Sequence, residues 1–291
     1  TDCYCGEIKM NSEDYGWKPE VSEWYDEALA NKNNPNAEIW KKIQSPENTF
    51  QTASWWLARK VIQDGKNFEV GYRKQIKHLV SREEVKGSFP FTQYIRELCQ
   101  NALDAVMNDE HLTITLKIDE SGMVFSHDGR TFQGPKPTSP EGEMASLYAP
   151  GMTTKKGSFN SEGRFGIGFK GWMLFFEEIK HEHSNGSQKI QIGYRFEGDG
   201  YNLESLCLKG TEHLENQQVG PRMTCFEFTK PTNEFQQPTI DGIIREWAPM
   251  IRFANHGVTI KIKIMENEAE INHEVNTFEV LGNTLQQEFF E

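Results

Sequence analysis

The chain has 291 residues, 36% hydrophobic and 12% aromatic, enough to bury one large domain or one domain with an extension, while 25% charged residues suit a soluble protein. Its formal charge of -12 disfavours nucleic-acid binding by the whole surface, so an anionic ligand needs a local site of backbone amides and a few lysines. No run of about 18 apolar residues occurs, so no membrane-spanning helix is expected. Five cysteines, with Cys99, Cys207 and Cys225 inside apolar segments, argue against a secreted disulfide framework and for a reducing, cytoplasmic setting.

The first residues, Thr1-Asp2-Cys3-Tyr4-Cys5, lack an initiator Met and the basic and apolar regions of a signal peptide, so a processed or trimmed start is expected. Cys3 and Cys5 have no second Cys or His pair at ligand spacing and read as a frayed terminus rather than half of a metal site. From residue 13 to about 86 the pattern is helical and irregular, with short helices expected over 21–30, 37–43, 52–63 and 68–79. A loop over 31–36 separates the first two, and Trp55, Trp56 and Leu57 read as a packed aromatic core.

Beyond Pro90 the signals sharpen. A strong helix is expected over 91–108, then strands over 112–118 and 123–125 joined by the hairpin turn Asp119-Glu120-Ser121-Gly122. Residues 133–163 hold four prolines and five glycines and read as one long functional or mobile loop. A helix over 165–179, a strand pair over 189–196 and 201–208, a strand over 223–228, an amphipathic helix over 240–253 and a final strand over 258–264 complete the pattern. The fold class expected is α+β, a mixed and mainly antiparallel sheet with helices on one face. The division expected is a helical extension over 1–86, the main domain over 87–265, and a tail or the start of a following region over 266–291.

Two segments carry chemistry. In Glu97-Leu98-Cys99-Gln100-Asn101-Ala102-Leu103-Asp104-Ala105, helical periodicity stacks Glu97, Asn101 and Asp104 on one side, with Leu98 and Ala102 on a stripe that can pack on a sheet. Taken alone, such a polar line is usually a solvated face. In Gly163-Arg164-Phe165-Gly166-Ile167-Gly168-Phe169-Lys170-Gly171, glycines at the opening of a helix let backbone amides approach an anion. This segment does not follow a strand in a βαβ unit, and there is no GxxxxGK[ST] sequence, so neither familiar phosphate loop applies.

Together and in this order, the two segments resemble the ExxxNxxDA and GxxGxGF boxes of the GHKL (Bergerat-fold) ATPases. Between them, Phe125-Ser126-His127-Asp128-Gly129-Arg130-Thr131-Phe132, Ser146-Leu147-Tyr148 and Thr153-Thr154-Lys155-Lys156 look like the sacsin-like branch, with MORC and Hsp90 proteins as more distant relatives. The resemblance covers roughly residues 90–264 and implies a two-layer α/β sandwich of the GHKL/Hsp90 N-terminal type, with ATP and Mg²⁺ as ligands. It implies that Asn101 gives its side-chain oxygen to Mg²⁺ and that Glu97 orients and deprotonates the attacking water. It also implies that Asp104 faces the inner side of the pocket. Gly163, Arg164, Phe165, Gly166, Ile167, Gly168, Phe169 and Lys170 would bind the phosphates, with Thr154, Lys155 and Lys156 in the lid.

Two departures stand out. In the family's DxGxG box an Asp accepts a hydrogen bond from the exocyclic amine of adenine; in register with Gly129, that place holds His127, and Thr131 replaces the second glycine. A neutral imidazole could still accept, Asp128 could reach the base after a one-residue shift, and a protonated imidazole would donate to an acceptor such as O6 of guanine. Thr224 is the best match to a late threonine at the start of a strand, without the usual preceding Gly.

Other candidates are weaker. His181-Glu182-His183 resembles a metal fragment but is expected in a solvated loop after a helix, no nucleophile elbow is present, and His78 is an isolated candidate phosphoacceptor. The function expected is a Mg²⁺-dependent, slowly hydrolysing ATP-binding module that acts as a conformational switch within a larger protein. Its partners would be nucleotide, a second copy joined through the lid, or downstream domains, with no membrane and no direct nucleic-acid contact. The alternative is a nucleotide-binding or protein-interaction module without turnover.

Overall fold

The computed structural model describes residues 20–45, 48–49, 52–53, 56, 91–106, 111–130, 132–137, 142–148, 169–184, 188–197, 202–203, 207–213, 222–251, 257–266 and 269–276. The first two helices lie where periodicity places them, α1 over Glu20–Ala30 and α2 over Glu38–Gln44. Val21, Trp24, Tyr25 and Ala28 of α1 close on Ile39, Trp40 and Ile43 of α2 and on Trp56, which is buried as the aromatic reading expects. Of the helix expected over 52–63, residues 52, 53 and 56 are helical; the rest of it, and the helix over 68–79, fall outside the described residues.

Helix α3 spans Phe91–Asp104 and buries Phe91, Tyr94, Ile95, Leu98, Cys99 and Ala102, a stripe with helical spacing. It stops before residue 108 because its last turn tightens: the Ala105 and Val106 amides bond to Ala102 and Leu103, each three residues back. Strands β1 (Leu112–Asp119) and β2 (Gly122–His127) form the expected hairpin. The turn is pinned by the Asp119 carboxylate, which accepts from the Ser121 amide at 2.8 Å. Gly122, with φ of 150°, lies so close to the Phe228 carbonyl that a Cβ would overlap it.

The region expected to be loop throughout contains helix α4 over Gly142–Tyr148. Proline and glycine at its borders hide the helix-forming run Glu143-Met144-Ala145-Ser146-Leu147 between them. A larger correction follows. In place of a helix over 165–179 there is a short 3₁₀ turn over Phe169–Gly171, a one-turn helix α5 over Trp172–Phe175, and strand β3 over Phe176–Ser184. The physical reason is a period of two: Ile179, His181 and His183 are buried while Glu178, Lys180 and Glu182 are half-buried or exposed.

Strands β4 (Gln188–Glu197), β5 (Asn202–Leu203), β6 (Cys207–His213) and β7 (Met223–Pro231) follow, then helix α6 (Ile240–Ile251) and strands β8 (Val258–Glu266) and β9 (Ala269–Asn276). The strand expected over 201–208 is thus two, both pairing with β4. The strand at 258–264 is not the last, since β9 pairs with it along its length.

Among the described residues the sheet has nine strands in the order β5-β4-β3-β7-β2-β1-β8-β9, with β6 also on β4. Only the β1–β8 pair is parallel, so the sheet is mixed and mainly antiparallel, and the class is α+β as expected. Its register stacks rows on one face: Ile118, Met123, Phe228 and Ile179; then Leu116, Phe125, Phe226 and His181; then Ile114, His127, Thr224 and His183. Helices α3 and α6 cover that face. The Trp247 indole N–H donates to the Ile95 carbonyl at 3.2 Å and its ring meets Phe125 edge-on at 6.4 Å, while Tyr94 stands edge-on to Phe228 at 6.0 Å. No helix among the described residues is long and apolar enough to cross a membrane.

Candidate functional site

The last of those rows differs from the others in chemistry. His127, at the end of β2, and Thr224, at the start of β7, are opposite one another, and Thr224 is in turn opposite His183 on β3. The Thr224 hydroxyl and His183 Nδ1 are 2.7 Å apart. Phe132 packs edge-on against His183 and His181 at 4.8 and 5.5 Å, and His181 stacks on Phe226 at 4.4 Å. His181 and His183 are therefore core residues of a strand, a correction to the solvated loop expected for them; their strand alternation was the signal available.

All of these imidazoles are held neutral at ordinary pH. Burial pushes His127 down to about 4, with the Asp128 carboxylate opposing the shift and the Arg130 guanidinium adding to it. Burial pushes His183 to about 3, helped by the charge of His127, and drives His181 well down, helped by His183 and His127.

The segment after β2 is fixed by the backbone. Asp128 turns to β1: its carboxylate accepts from the Thr113 amide at 2.7 Å, and its own amide donates to the Thr113 carbonyl at 3.3 Å. Gly129 sits in the angle between this turn and the end of α3. A Cβ there would be 2.8 Å from the Ala105 carbonyl oxygen and 3.0 Å from His127 Nδ1, so only glycine fits without displacing backbone. Its amide donates to His127 Nδ1 at 3.3 Å. Next, the Arg130 amide donates to the Ala105 carbonyl at 2.6 Å, satisfying an acceptor at the end of α3.

Arg130 then reaches outward. Its guanidinium forms a two-pronged pair with Glu143 of α4, at 2.7 and 2.8 Å, and Glu143 also accepts from the Gln133 amide at 2.7 Å. Burial alone would lower the Arg130 pKa; the hydrogen bond and charge of Glu143, with Asp104 adding, raise it instead. One helix end, one strand end and α4 thus share a network. Glu143, not singled out in the sequence, is its hub. From the other side, the Gln44 amide of α2 donates to the Gly134 carbonyl at 3.0 Å and to that of Pro135, tying the helical extension to the same loop.

Along α3 the polar line behaves as the spacing predicts: Glu97 and Asn101 are half-buried and Asp104 is exposed, beside the buried Leu98 and Ala102. Asp104, in the last turn of α3, acts electrostatically on Arg130; Asp128 and Gly129 follow β2, and His127 at its end lies opposite Thr224 on β7. Phe169 is buried with its ring 4.8 Å from Phe226, so it packs on the sheet face; Lys170 lies in the adjoining 3₁₀ turn. Thr154, Lys155, Lys156, Gly163, Arg164, Phe165, Gly166, Ile167 and Gly168 lie outside the described residues.

For a cation the available donors are hard oxygens. Among the described residues no group of three or more His, Cys, Asp or Glu side chains is arranged to hold a metal ion. Asn101 carries a side-chain oxygen of the hard kind that an ion such as Mg²⁺ prefers. No protein-family model matches the chain, and no curated protein shows significant similarity to it.

Proposed function

We propose that the chain is a Mg²⁺-dependent nucleoside-triphosphate-binding module of the GHKL type, ATP being the nucleotide that the resemblance implies, which hydrolyses slowly and acts as a conformational switch. The observation that carries this reading is the meeting of two segments about 25 residues apart, 97–105 and 127–130, through Arg130 N–H on the Ala105 carbonyl. That contact is independent of the motifs themselves, and by bringing the end of α3 against the segment after β2 it supports the reading. The α+β sheet with helices on one face supports the same architecture.

In this reading Asn101 holds Mg²⁺ through its side-chain oxygen, and Glu97, one turn earlier, orients the attacking water and takes its proton. Bound Mg²⁺ would neutralise charge developing on the phosphates. Gly166, Ile167 and Gly168 would offer amides to phosphate oxygens, Lys155 or Lys156 would close over the γ-phosphate, and Asp104 and Thr224 would line the pocket. Arg130 and Glu143 would couple the base end of the site to α4 at the root of the lid, through which two copies would associate. A second reading, a module that binds without turnover, is favoured by one observation: a histidine stands where a carboxylate would read adenine.

Calorimetric titration of Mg²⁺ nucleotides tests the proposal. Binding should depend on Mg²⁺ and be lost in Asn101→Ala, whereas Glu97→Ala should keep binding and lose phosphate release. Binding kept in Asn101→Ala, or release unchanged in Glu97→Ala, would contradict the assignment, and binding with no release by the wild type would favour the second reading.

A further inference from the structure

A buried hydrogen bond settles which way the base-reading imidazole works. The Gly129 amide points at His127 Nδ1 from 3.3 Å, so Nδ1 must be an acceptor and carries no proton. The neutral ring then bears its single proton on Nε2, and a doubly protonated ring would set two N–H groups against each other. Gly129 makes this geometry possible, since a side chain there would collide with both the ring and the Ala105 carbonyl. Among the described residues no hydrogen bond is made by His127 Nε2. His127 keeps 8% of its surface exposed, where His181 and His183 keep 1% and 0%, so of the three histidines it is the least enclosed. The neighbouring carboxylate is engaged elsewhere, one Asp128 oxygen accepting from the Thr113 amide of β1 at 2.7 Å.

We infer that this site takes a nucleotide whose base presents a keto oxygen at the position read by His127, O6 of a 6-oxopurine or O4 of uracil, which accepts from the Nε2–H. A base presenting an amino group there, adenine or cytosine, would set donor against donor and leave a buried N–H unmatched. The inference rests on the nucleotide-site reading above and narrows its base. It also predicts the reverse chemistry for a carboxylate, which can only accept.

The test compares Mg²⁺ complexes that differ at that one edge: ITP against ATP, and UTP against CTP, with the wild-type chain and His127→Asp. ITP should bind about tenfold or more tightly than ATP, and the order should invert in His127→Asp. A UTP preference over CTP with weak ITP binding would place the keto group on a pyrimidine. ATP binding as tightly as ITP to the wild type would overturn the inference while leaving a nucleotide site standing. No binding of any of the four would remove both. Should His127→Asp not fold, the wild-type comparison still decides, as does ¹⁵N NMR of the His127 ring, where a proton on Nδ1 would contradict the assignment.

Discussion

At one end of the covered sheet face the cross-strand row is Ile118, Met123, Phe228 and Ile179; at the other it is Ile114, His127, Thr224 and His183. Strands, register and covering helices are shared, yet the first row contains only apolar side chains and the second buries two imidazoles and a hydroxyl. Apolar burial stabilises in proportion to area, roughly 25 cal/mol per Å², whereas a buried polar group lowers stability unless it is well paired. A chain that retains the second kind of row beside the first forgoes stability at one end of its sheet. The polar end is also where α3 ends and where Gly129, Arg130 and Glu143 converge. The apolar end anchors the fold, and the polar end is where the proposed ligand would bind.

The largest effect expected from separating the two ends is catalytic. Under the proposed function, Glu97→Gln should slow phosphate release by about 10²–10⁴-fold with nucleotide binding retained, as read by single-turnover release assays. A near-equal effect, on folding, belongs to the apolar row: Phe228→Ala should cost about 3–5 kcal/mol in urea unfolding, from lost burial and the cavity left behind. If instead Phe228→Ala were mild, the two ends would not differ as described.

The polar row should reveal itself through pH. His127 and His183 titrate near 4 and 3 when folded against 6.5 when unfolded, so between these limits the unfolded chain binds more protons. Stability should therefore be flat above about pH 6.5 and fall as pH drops toward 4, by roughly 3 kcal/mol for each such ring. His183→Phe, which removes one of these two rings, should lessen that fall in urea midpoints measured from pH 8 to pH 4. A smaller effect is expected at the edge of the network. Glu143→Gln should weaken the half-buried Arg130 pair by about 1–2 kcal/mol, and Gln44→Ala should cost about 1 kcal/mol, both measurable by thermal unfolding.

Much of this contrast is legible in the sequence, and the exceptions have physical causes. The apolar spacing of α1, α2 and α3 and the Asp119–Gly122 turn are local signals strong enough to survive tertiary context. The line Glu97, Asn101, Asp104 follows from helical period alone. What local pattern could not yield was β3: Trp172-Met173-Leu174-Phe175-Phe176 reads as a helix continuing from the glycine box, and Ile179, His181 and His183 become an inward face only once β7 supplies the opposite register. The same holds for Glu143, whose importance depends on Arg130 being brought to it across a proline-rich stretch. Base reading was open among three possibilities from residues alone; the direction of the Gly129 amide speaks against an imidazole that accepts and against a doubly protonated one, and a neutral imidazole that donates through Nε2 was not among the three.

Hydrogen exchange followed by mass spectrometry, with and without a Mg²⁺ nucleoside triphosphate, tests the central claim most directly. The account predicts slower exchange in peptides covering 97–105, 127–137 and 222–226, with little change in 116–119 and 262–264 at the apolar end. Protection absent from 97–105 and 127–130, or spread evenly over the whole sheet, would contradict a ligand site at that end.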